Sequence, residues 1–423
     1  MNKLTALLQE KLVPFATKMA ANKYLKALSE TMMTVLPLIM VGSFATLFAN
    51  INIDVYQRFL ESNQGLVNAL ANIQSFTVNL IAIYVLVILA FKVSKNLKID
   101  PYTTAIATVA VFFMLTPGEL NISISQEWLS YKGMITGIII GMVVPRFIQL
   151  VKDKRIIIKM PESVPTFVSD SFSSLIPIIL LVIITQIINA IAIQTNQGSV
   201  HQFIYAVLQT PFQNLSSSLP GAIIIMLACT LFMSLGVHAN TILYVIFPMY
   251  LANGAANLEA YQSNLPLPNI VTSSWFMHIV IGGVGCILPL VILLAFVAKS
   301  ERLKSVGKIA IIPSIFNISE PVLFGAPILF NPVLMIPYMT TSVLNVIIGY
   351  VAIAINIVPR LTGVEVVWSM PAVLSGFLAQ GWQFALLQII LFVIDLAIWY
   401  PFVKVYDKSL LDEESIKGGI ENE

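Results

Sequence analysis

Residues 313–332, PSIFNISEPVLFGAPILFNP, combine a strongly apolar composition with four prolines and Gly325. Glu320 is the only Asp, Glu, Lys, Arg or His between Lys308 and Arg360. Prolines interrupt a helix because each removes a backbone donor and clashes with the preceding turn. A charged side chain at membrane depth is costly and usually faces a cavity or a partner. The stretch therefore predicts a broken, re-entrant hairpin in a membrane rather than a straight helix.

The whole chain has the composition of a membrane protein. Of its 423 residues, 57% are hydrophobic and 10% charged, whereas a soluble domain carries about 25% charged residues. The mean hydropathy is +0.87, and the long apolar runs predict an all-α polytopic membrane protein. A net charge of +2 without a basic patch predicts no nucleic-acid partner. Cys229 and Cys286 lie in apolar runs, which indicates small buried residues rather than redox or metal groups.

Lys and Arg set the predicted topology, because cytoplasmic loops are rich in them. Every cluster falls before the first apolar segment or after an even-numbered one, for example at 146–159 and 299–308, and residues 160–298 contain neither. The asymmetry predicts ten spans with both termini in the cytoplasm. The predicted spans lie near 31–50, 75–94, 102–117, 133–150, 174–193, 220–237, 241–253, 275–298, 333–357 and 382–403.

Changes in composition divide the chain into regions. Residues 156–173 mix apolar and polar side chains with two prolines, so we expect a linker and an amphipathic crossover helix at the interface. It separates N-terminal transmembrane helices, 1–155, from a region, 174–405, where Gly and Pro interrupt the apolar pattern. Because broken helices build the substrate sites of transporters, the second region is predicted to bind substrate. Residues 406–423 predict an acidic cytoplasmic tail.

A glycine repeat marks the predicted fourth span. The sequence GMITGIIIG places Gly133, Gly137 and Gly141 on one helix face. Small residues at this spacing let helices approach closely. The packing partner is a helix of the same subunit or of a second copy, and the sequence leaves both open.

Glu320 is the leading candidate for a functional residue. Asn317 and Ser319 stand beside it, and the flanking prolines free backbone groups nearby, which suits a hydroxyl-rich substrate. The alternative is a solvated Glu320 in a cytoplasmic loop, but its neighbours are too apolar for that. His238 follows the sixth predicted span, where Gly236 allows a turn. The alternative for His238 is a satisfied helix terminus.

Other side chains carry weaker signals. Trp275, Trp368 and Trp382 lie near span ends, and tryptophan there usually belongs to the interfacial belt. We favour the belt for Trp275 and Trp382, whereas stacking on a sugar ring is an equal alternative for Trp368. His201 is expected at the surface. The sequence shows no metal-ligand spacing and no glycine-rich phosphate loop, which predicts no metal, no cofactor and no Walker-type ATP hydrolysis.

Several stretches, in the same order, resemble motifs of one family. The chain resembles the membrane-embedded IIC subunit of the bacterial phosphoenolpyruvate-dependent sugar phosphotransferase system, in its lactose, cellobiose and diacetylchitobiose branch. The resemblance covers nearly the whole chain. The motifs are KYLKALSETMMTVLPLIMVGS, EWLSYKG, IIIKMPESVPTFVSDSFSSLIP, GVH, FNISEPVLFGAPILFNP and WSMPAVLSGFLAQGW.

The resemblance implies a sugar permease of the bacterial plasma membrane that works as a homodimer of ten-span subunits, with N-terminal spans forming most of the dimer contact. A disaccharide enters from outside and receives a phosphoryl group from the cysteine of a separate IIB subunit. IIB in turn receives its phosphoryl group from IIA. By resemblance, His238 and Glu320 lie near the hydroxyl to be phosphorylated. Asn317 and Trp368 help to hold the sugar.

Two departures from the family pattern lie close to this site. Asn240 belongs to the Ala-Asn pair that follows His238 where the family often has glycine, and Ser319 stands where it often has asparagine. Both are candidate sugar-binding residues and leave the identity of the sugar open. Glu320 is either a general base or a sugar ligand, and the chain is an enzyme only as part of a complex. The alternatives are a proton-coupled secondary sugar transporter using Glu320 and a transport-inactive sugar sensor.

Overall fold

The computed structural model describes residues 18, 21–49, 54–119, 123–161, 164–326, 328–329 and 331–420. The first 17 residues of the predicted N-terminal region, residues 162–163 of the crossover, Pro327 of the hairpin and the last three residues of the tail lie outside the described residues. The described chain is mostly helical, which confirms the all-α class. It divides into two compact units: an N-terminal unit of residues 21–214 with 247–255, and a C-terminal unit of residues 215–246 with 256–420.

The helices of the N-terminal unit pack around an apolar core. Asp100 and Pro101 start one of them, because the Asp100 carboxylate accepts the N–H groups of Tyr102 and Thr103 and proline suits the first helical position. The helices are α1 (Lys23–Ala49), α2 (Asp54–Ser62), α3 (Gln64–Ser75), α4 (Ile81–Leu97), α5 (Pro101–Leu115), α6 (Met134–Asp153), α7 (Thr166–Ile193), α8 (Val200–Ile204) and α9 (Thr210–Ser217). Strands β1 (Gly118–Glu119) and β2 (Ser123–Ile124) form an antiparallel pair.

The glycine face of α6 packs inside the subunit. A Cβ atom at Gly137 would lie 3.1 Å from the Ala82 carbonyl oxygen, and one at Gly141 would lie 3.4 Å from the Leu86 carbonyl oxygen. Both carbonyls belong to α4. Of the two packing partners that the sequence left open, the structure therefore shows the helix of the same subunit at these two positions.

The C-terminal unit is built from shorter and more interrupted helices. The helices are α10 (Leu219–Ser234), α11 (Asn240–Gln262), α12 (Ser273–His278), α13 (Ile287–Phe296), α14 (Glu301–Ile315), α15 (Glu320–Gly325), α16 (Pro332–Ala354), α17 (Leu374–Gln380) and α18 (Trp382–Ile420). Residues 247–255 of α11 belong to the N-terminal unit. The predicted hairpin, 313–332, begins in the last turn of α14, which contains Pro313, and includes the turn 316–319 and α15. The chain therefore leaves the helix between Pro313 and Pro321, whereas a re-entrant path in the membrane stays a prediction.

The helices agree with a multi-pass membrane protein. Among the described residues, six helices are long and apolar enough to cross a membrane, and the bent pair Val200–Ser217 and Leu219–Ser234 is a seventh candidate with an angle of 80°. Each of the ten predicted spans overlaps at least one helix. Ten complete crossings remain a prediction.

The predicted crossover helix differs from the structure. Helix α7 begins at Thr166 and continues unbroken to Ile193, so residues 166–173 form its first turns rather than a separate amphipathic helix. Helix α7 packs against α5 and α6, and the compact N-terminal unit includes it and extends to residue 214. The division of roles between residues 1–155 and 174–405 stays a prediction.

The predicted eighth span, 275–298, is divided by a turn at residues 279–286, between α12 and α13. Gly283 and Gly285 have φ angles of +90° and +91° there, a region that glycine enters without a steric penalty. A side chain at Gly285 would also overlap the ring of Tyr338. The glycines therefore divide an apolar run that composition alone assigns to one helix.

Candidate functional site

The structure brings His238 and Glu320 together. The Nε2 atom of His238 lies 3.2 Å from Oε1 of Glu320, although the two residues are 82 positions apart. Their side chains are 51% and 43% exposed. Both groups are therefore open to a ligand, and the contact joins two residues that the sequence singled out separately.

The hydrogen bonds of His238 fix the state of the pair. The backbone N–H of Asn240 donates to His238 Nδ1 at 3.2 Å. Since a nitrogen that accepts a hydrogen bond carries no proton, the network assigns the ring proton to Nε2, which donates to Glu320. The pair is then a neutral imidazole beside a carboxylate, and the carboxylate keeps lone pairs that can accept from a sugar hydroxyl. Asn240 contributes its backbone to this arrangement.

A helix terminus positions His238. Helix α10 ends at Ser234, and Gly236 follows with a φ angle of +81°. The N–H of Val237 donates to the Phe232 carbonyl at 2.9 Å, which is the closing bond of a Schellman motif. The left-handed glycine turns the chain sharply, so His238 projects from the start of the connection to α11.

A second Schellman motif positions the hairpin. Helix α14 ends at Ile315, and Asn317 follows with a φ angle of +61°. The N–H of Ile318 donates to the Pro313 carbonyl at 3.0 Å, and asparagine is the commonest substitute for glycine at this position of the motif. The reversal places Glu320 at the first residue of α15, where a carboxylate suits the helix N-terminus.

The side chain of Asn317 holds three segments together. Its Nδ2 donates to the carbonyls of Trp368 at 2.7 Å and Met370 at 3.1 Å. Its Oδ1 accepts the N–H of Gly282 at 3.0 Å. A Cβ atom at Gly283 would lie only 2.7 Å from the Asn317 carbonyl oxygen. Both amide protons are thus donated to protein carbonyls, and Asn317 is arranged to position the segment that carries Trp368.

The segment around Trp368 has no regular structure between α16 and α17, at residues 355–373. Polar side chains from other elements bond its backbone. Ser274 Oγ donates to the Val364 carbonyl at 2.7 Å, and Gln388 Oε1 accepts the Val373 N–H at 2.8 Å. Irregular backbone at membrane depth is tolerated where such partners satisfy it. Trp368 itself is partly exposed.

Ser319 is buried, with 6% of its surface exposed, and its carbonyl accepts the Val322 N–H in the first turn of α15. The structure thus places it at the hairpin turn directly before Glu320. Among the described residues, no three His, Cys, Asp or Glu side chains are grouped as a metal site requires. Cys229 and Cys286 are both buried, as the sequence predicted.

Two predictions from the sequence are wrong. Trp275 is fully buried and does not belong to an interfacial belt, because α12 is enclosed within the C-terminal unit. His201 is also fully buried instead of lying at the surface. Its Nε2 lies 3.1 Å from Thr116 Oγ1, and its ring meets that of Phe112 edge-on at 4.7 Å. The polar residues around His201 in the sequence indicated a surface position and did not reveal these aromatic contacts. Trp382 is 64% exposed.

The sequence did not single out several polar residues that are buried in the C-terminal unit. They are Asp395, Asn345, Glu365 and Gln388, each at most 4% exposed. Asp395 had a usable signal, because it interrupts the last predicted span and an ionisable residue within a span is a functional candidate by default. Glu365, which lies three residues before Trp368, accepts a hydrogen bond from the Ser273 hydroxyl.

Comparisons with known proteins agree with these features. Residues 29–342 match the family model described as Phosphotransferase system, EIIC. The chain is 31% identical to the cellobiose-specific EIIC component of Geobacillus stearothermophilus, over 98% of this chain and 96% of that protein. It is 30% identical to the lactose-specific EIICB component of Lacticaseibacillus casei, over 96% of this chain and 72% of that protein. The crystal structure of the transporter ChbC, the IIC component of an N,N'-diacetylchitobiose-specific phosphotransferase system, superposes with a TM-score of 0.92 at 30% identity, covering 97% of this chain and 99% of that one.

Proposed function

We propose, because the chain belongs to the EIIC family of the phosphotransferase system, that His238 and Glu320 form the place where its sugar is phosphorylated. The family makes the chain a multi-pass membrane permease for a sugar. The observation that carries the proposal is the contact of 3.2 Å between His238 and Glu320, with both side chains open to a ligand. Asn317 and Trp368 form the adjoining part of the site.

The proposed chemistry is a phosphoryl transfer to a sugar hydroxyl. The hydroxyl oxygen attacks phosphorus, the bond from phosphorus to the donor sulfur breaks, and the sulfur leaves as a thiolate. Glu320 accepts the hydroxyl proton or holds the hydroxyl in line, and His238 orients the carboxylate through its Nε2–H. Because Cys229 and Cys286 are buried, we assign the phosphorylated cysteine to a separate IIB protein, which IIA phosphorylates.

A disaccharide is the proposed substrate. The relatives named above are designated for cellobiose, lactose and diacetylchitobiose, and disaccharide is what these three names share. The partly exposed indole of Trp368 supports this choice, because an indole face stacks on the apolar face of a sugar ring. Ser319 and the connection at Asn240 lie next to the pair and are the proposed places where one disaccharide is told from another.

The lactose-specific relative supports the IIB partner. It is named as an EIICB component, and this chain covers 72% of it. We propose that IIB meets this chain from the cytoplasm, the side on which the alternation of Lys and Arg predicts both termini. We further propose that two copies form a homodimer through the N-terminal helices.

Reconstitution in lipid vesicles tests the function. Radiolabelled cellobiose, lactose or diacetylchitobiose is added outside vesicles that either contain phosphorylated IIB or lack it. The sugar phosphate formed is then measured. We expect sugar phosphate inside the vesicles only with phosphorylated IIB and only for some of the three sugars. Accumulation of unmodified sugar driven by a pH gradient would instead support a proton-coupled transporter. Binding without uptake or phosphorylation would indicate a sensor.

A further inference from the structure

A carboxyl group and an amide face each other inside the C-terminal unit. Asp395 lies on α18 and Asn345 on α16, and neither has any exposed surface. Asn345 Nδ2 donates to Asp395 Oδ2 at 2.9 Å. The same nitrogen donates to the Ile279 carbonyl at 3.2 Å. Because the Ile279 carbonyl can only accept, its bond fixes the orientation of the amide.

Two oxygen atoms of this contact lack a donor. Asp395 Oδ1 and Asn345 Oδ1 are buried and have no hydrogen-bond partner. Buried polar atoms are nearly always hydrogen-bonded, so each unpaired atom requires an explanation. No ion pair among the described residues includes Asp395, and an uncompensated charge on a helix that crosses a membrane is costly.

Three helices packed against α18 supply no counter-charge. Helices α13, α16 and α17 pack against α18 and contain no Asp, Glu, Lys, Arg or His. The titratable side chain that faces the pair is the thiol of Cys286, which interacts with Asp395 and whose Sγ lies 3.1 Å from Asn345 Nδ2. A thiol is ordinarily neutral at physiological pH.

We propose that Asp395 binds a proton on Oδ1 and donates it to Asn345 Oδ1, forming a membrane-embedded proton site. The protonated carboxyl and the primary amide each have one donor and one acceptor side by side, so they close a ring of two hydrogen bonds. One proton therefore satisfies both unpaired oxygens and removes the buried charge.

The acid–amide pair also positions the proposed sugar site. Asn345 Nδ2 donates to the carbonyl of Ile279 and contacts the sulfur of Cys286, and these two residues are the first and last of the turn 279–286. Within this turn, the N–H of Gly282 donates to Asn317 Oδ1. Asn317 in turn holds the carbonyl of Trp368. Asp395 is thus a positioning residue that acts through the turn.

Two substitutions separate a bound proton from a required charge. In Asp395→Asn, the new amide group donates to Asn345 Oδ1 and accepts from Asn345 Nδ2, so it reproduces the ring without a titratable proton. In Asp395→Leu, both bonds are lost, and the side chain keeps the number and branching of its heavy atoms although its methyl groups are bulkier than the carboxyl oxygens. We expect the Asn variant to keep the wild-type melting temperature and sugar affinity, and the Leu variant to melt lower. We also expect the Leu variant to bind sugar about tenfold more weakly, with less change in the rate at saturating sugar.

Infrared spectroscopy of the wild-type protein provides the direct measurement. Protein labelled with ¹³C at the aspartate carboxyl carbon should show the carbonyl stretching band of a protonated acid, persisting from mildly acidic to mildly basic pH and absent in Asp395→Asn. The exchanged pair Asn345→Asp with Asp395→Asn should restore the band that Asp395→Asn lacks. Cys286→Ala controls for the thiol and should leave the band in place.

The opposite results would overturn the proposal. An aspartate that shows only carboxylate bands, or an Asn variant as damaged as the Leu variant, would mean that Asp395 is ionised. The proposal draws on the proposed function only for the effect on sugar binding. If no sugar is phosphorylated, the infrared band and the melting temperatures still decide whether Asp395 holds a proton.

Discussion

The two units of this membrane protein satisfy their backbones in different ways. In the N-terminal unit, helices such as α4, α5 and α6 run long and regular, and their core is apolar, with Leu86, Phe112 and Ile148 buried. In the C-terminal unit, the backbone leaves the helix at 279–286, 316–319 and 355–373. There, side chains instead of helical bonds satisfy much of the backbone.

This difference indicates where a ligand fits. A regular helix has no free backbone groups and presents only side chains, whereas a broken helix exposes donors and acceptors that can meet sugar hydroxyls. The cost is that polar side chains must hold the irregular segments in place. We therefore expect substitutions of those polar residues to change sugar handling, and packing changes in the N-terminal unit to change stability alone.

The largest expected effect is at the His238–Glu320 pair. Glu320→Gln keeps the size of the side chain but removes the group that can accept a proton or attract the hydroxyl. Phosphorylation by phosphorylated IIB should fall by about 10²–10⁴-fold, the range for loss of a general acid or base, and His238→Ala should also lower it. The measurement is the initial rate of sugar phosphate formation in vesicles.

A glutamate on the same hairpin provides the matched control. Glu301 in the first turn of α14 has an 82% exposed side chain and pairs with Lys304, and exposed ion pairs contribute little. Glu301→Gln should leave phosphorylation unchanged. Near-normal activity in Glu320→Gln would remove the pair from the proposed site, whereas equal losses in both variants would point to the net charge of the hairpin.

A smaller effect is expected at Asn317. Asn317→Ala removes three hydrogen bonds to the segments of Gly282, Trp368 and Met370, and it places alanine at a positive φ angle. Sugar affinity should fall by about 10- to 100-fold, which corresponds to about 1.4–2.8 kcal/mol, while the rate at saturating sugar changes less. Binding is measured by calorimetry. Asn331→Ala, which removes only a helix cap of α16, should cost stability without this loss of affinity.

These residues also show how far the sequence could lead. The prolines and the isolated Glu320 predicted the hairpin break, and the family resemblance connected it with His238. The sequence did not predict that the Asn317 amide donates to the carbonyls of Trp368 and Met370. Those residues are 51 and 53 positions away, so the bonds depend on how distant segments fold together. Similarly, the ring contacts of His201 follow from long-range packing that local polarity hides.

A substitution in the N-terminal unit tests the other side of the comparison. In Gly137→Leu, the new side chain begins with a Cβ atom 3.1 Å from the Ala82 carbonyl, so α4 and α6 must separate. We expect the free energy of unfolding to fall by about 1–3 kcal/mol, as for an overpacked core, with unchanged sugar affinity in the folded fraction. Gly65→Leu is the control, because a Cβ atom there would meet nothing within 4 Å. Weaker sugar binding at unchanged stability would contradict the division of roles.

The smallest expected effect is at the cap of α5. Asp100→Ala removes the carboxylate that accepts from Tyr102 and Thr103, which should cost about 1 kcal/mol without changing sugar binding. Burial raises the pKa of Asp100, but the hydrogen bonds from Thr103 and Tyr102 outweigh it and hold the pKa below its ordinary value. Because the folded pKa is the lower one, the stabilisation is present above the pKa of the unfolded chain and is lost as pH falls through that of the folded chain. The melting temperatures of wild type and Asp100→Ala should therefore differ at neutral pH and converge in acid; a constant difference would mean that the charge of Asp100 does not stabilise the helix.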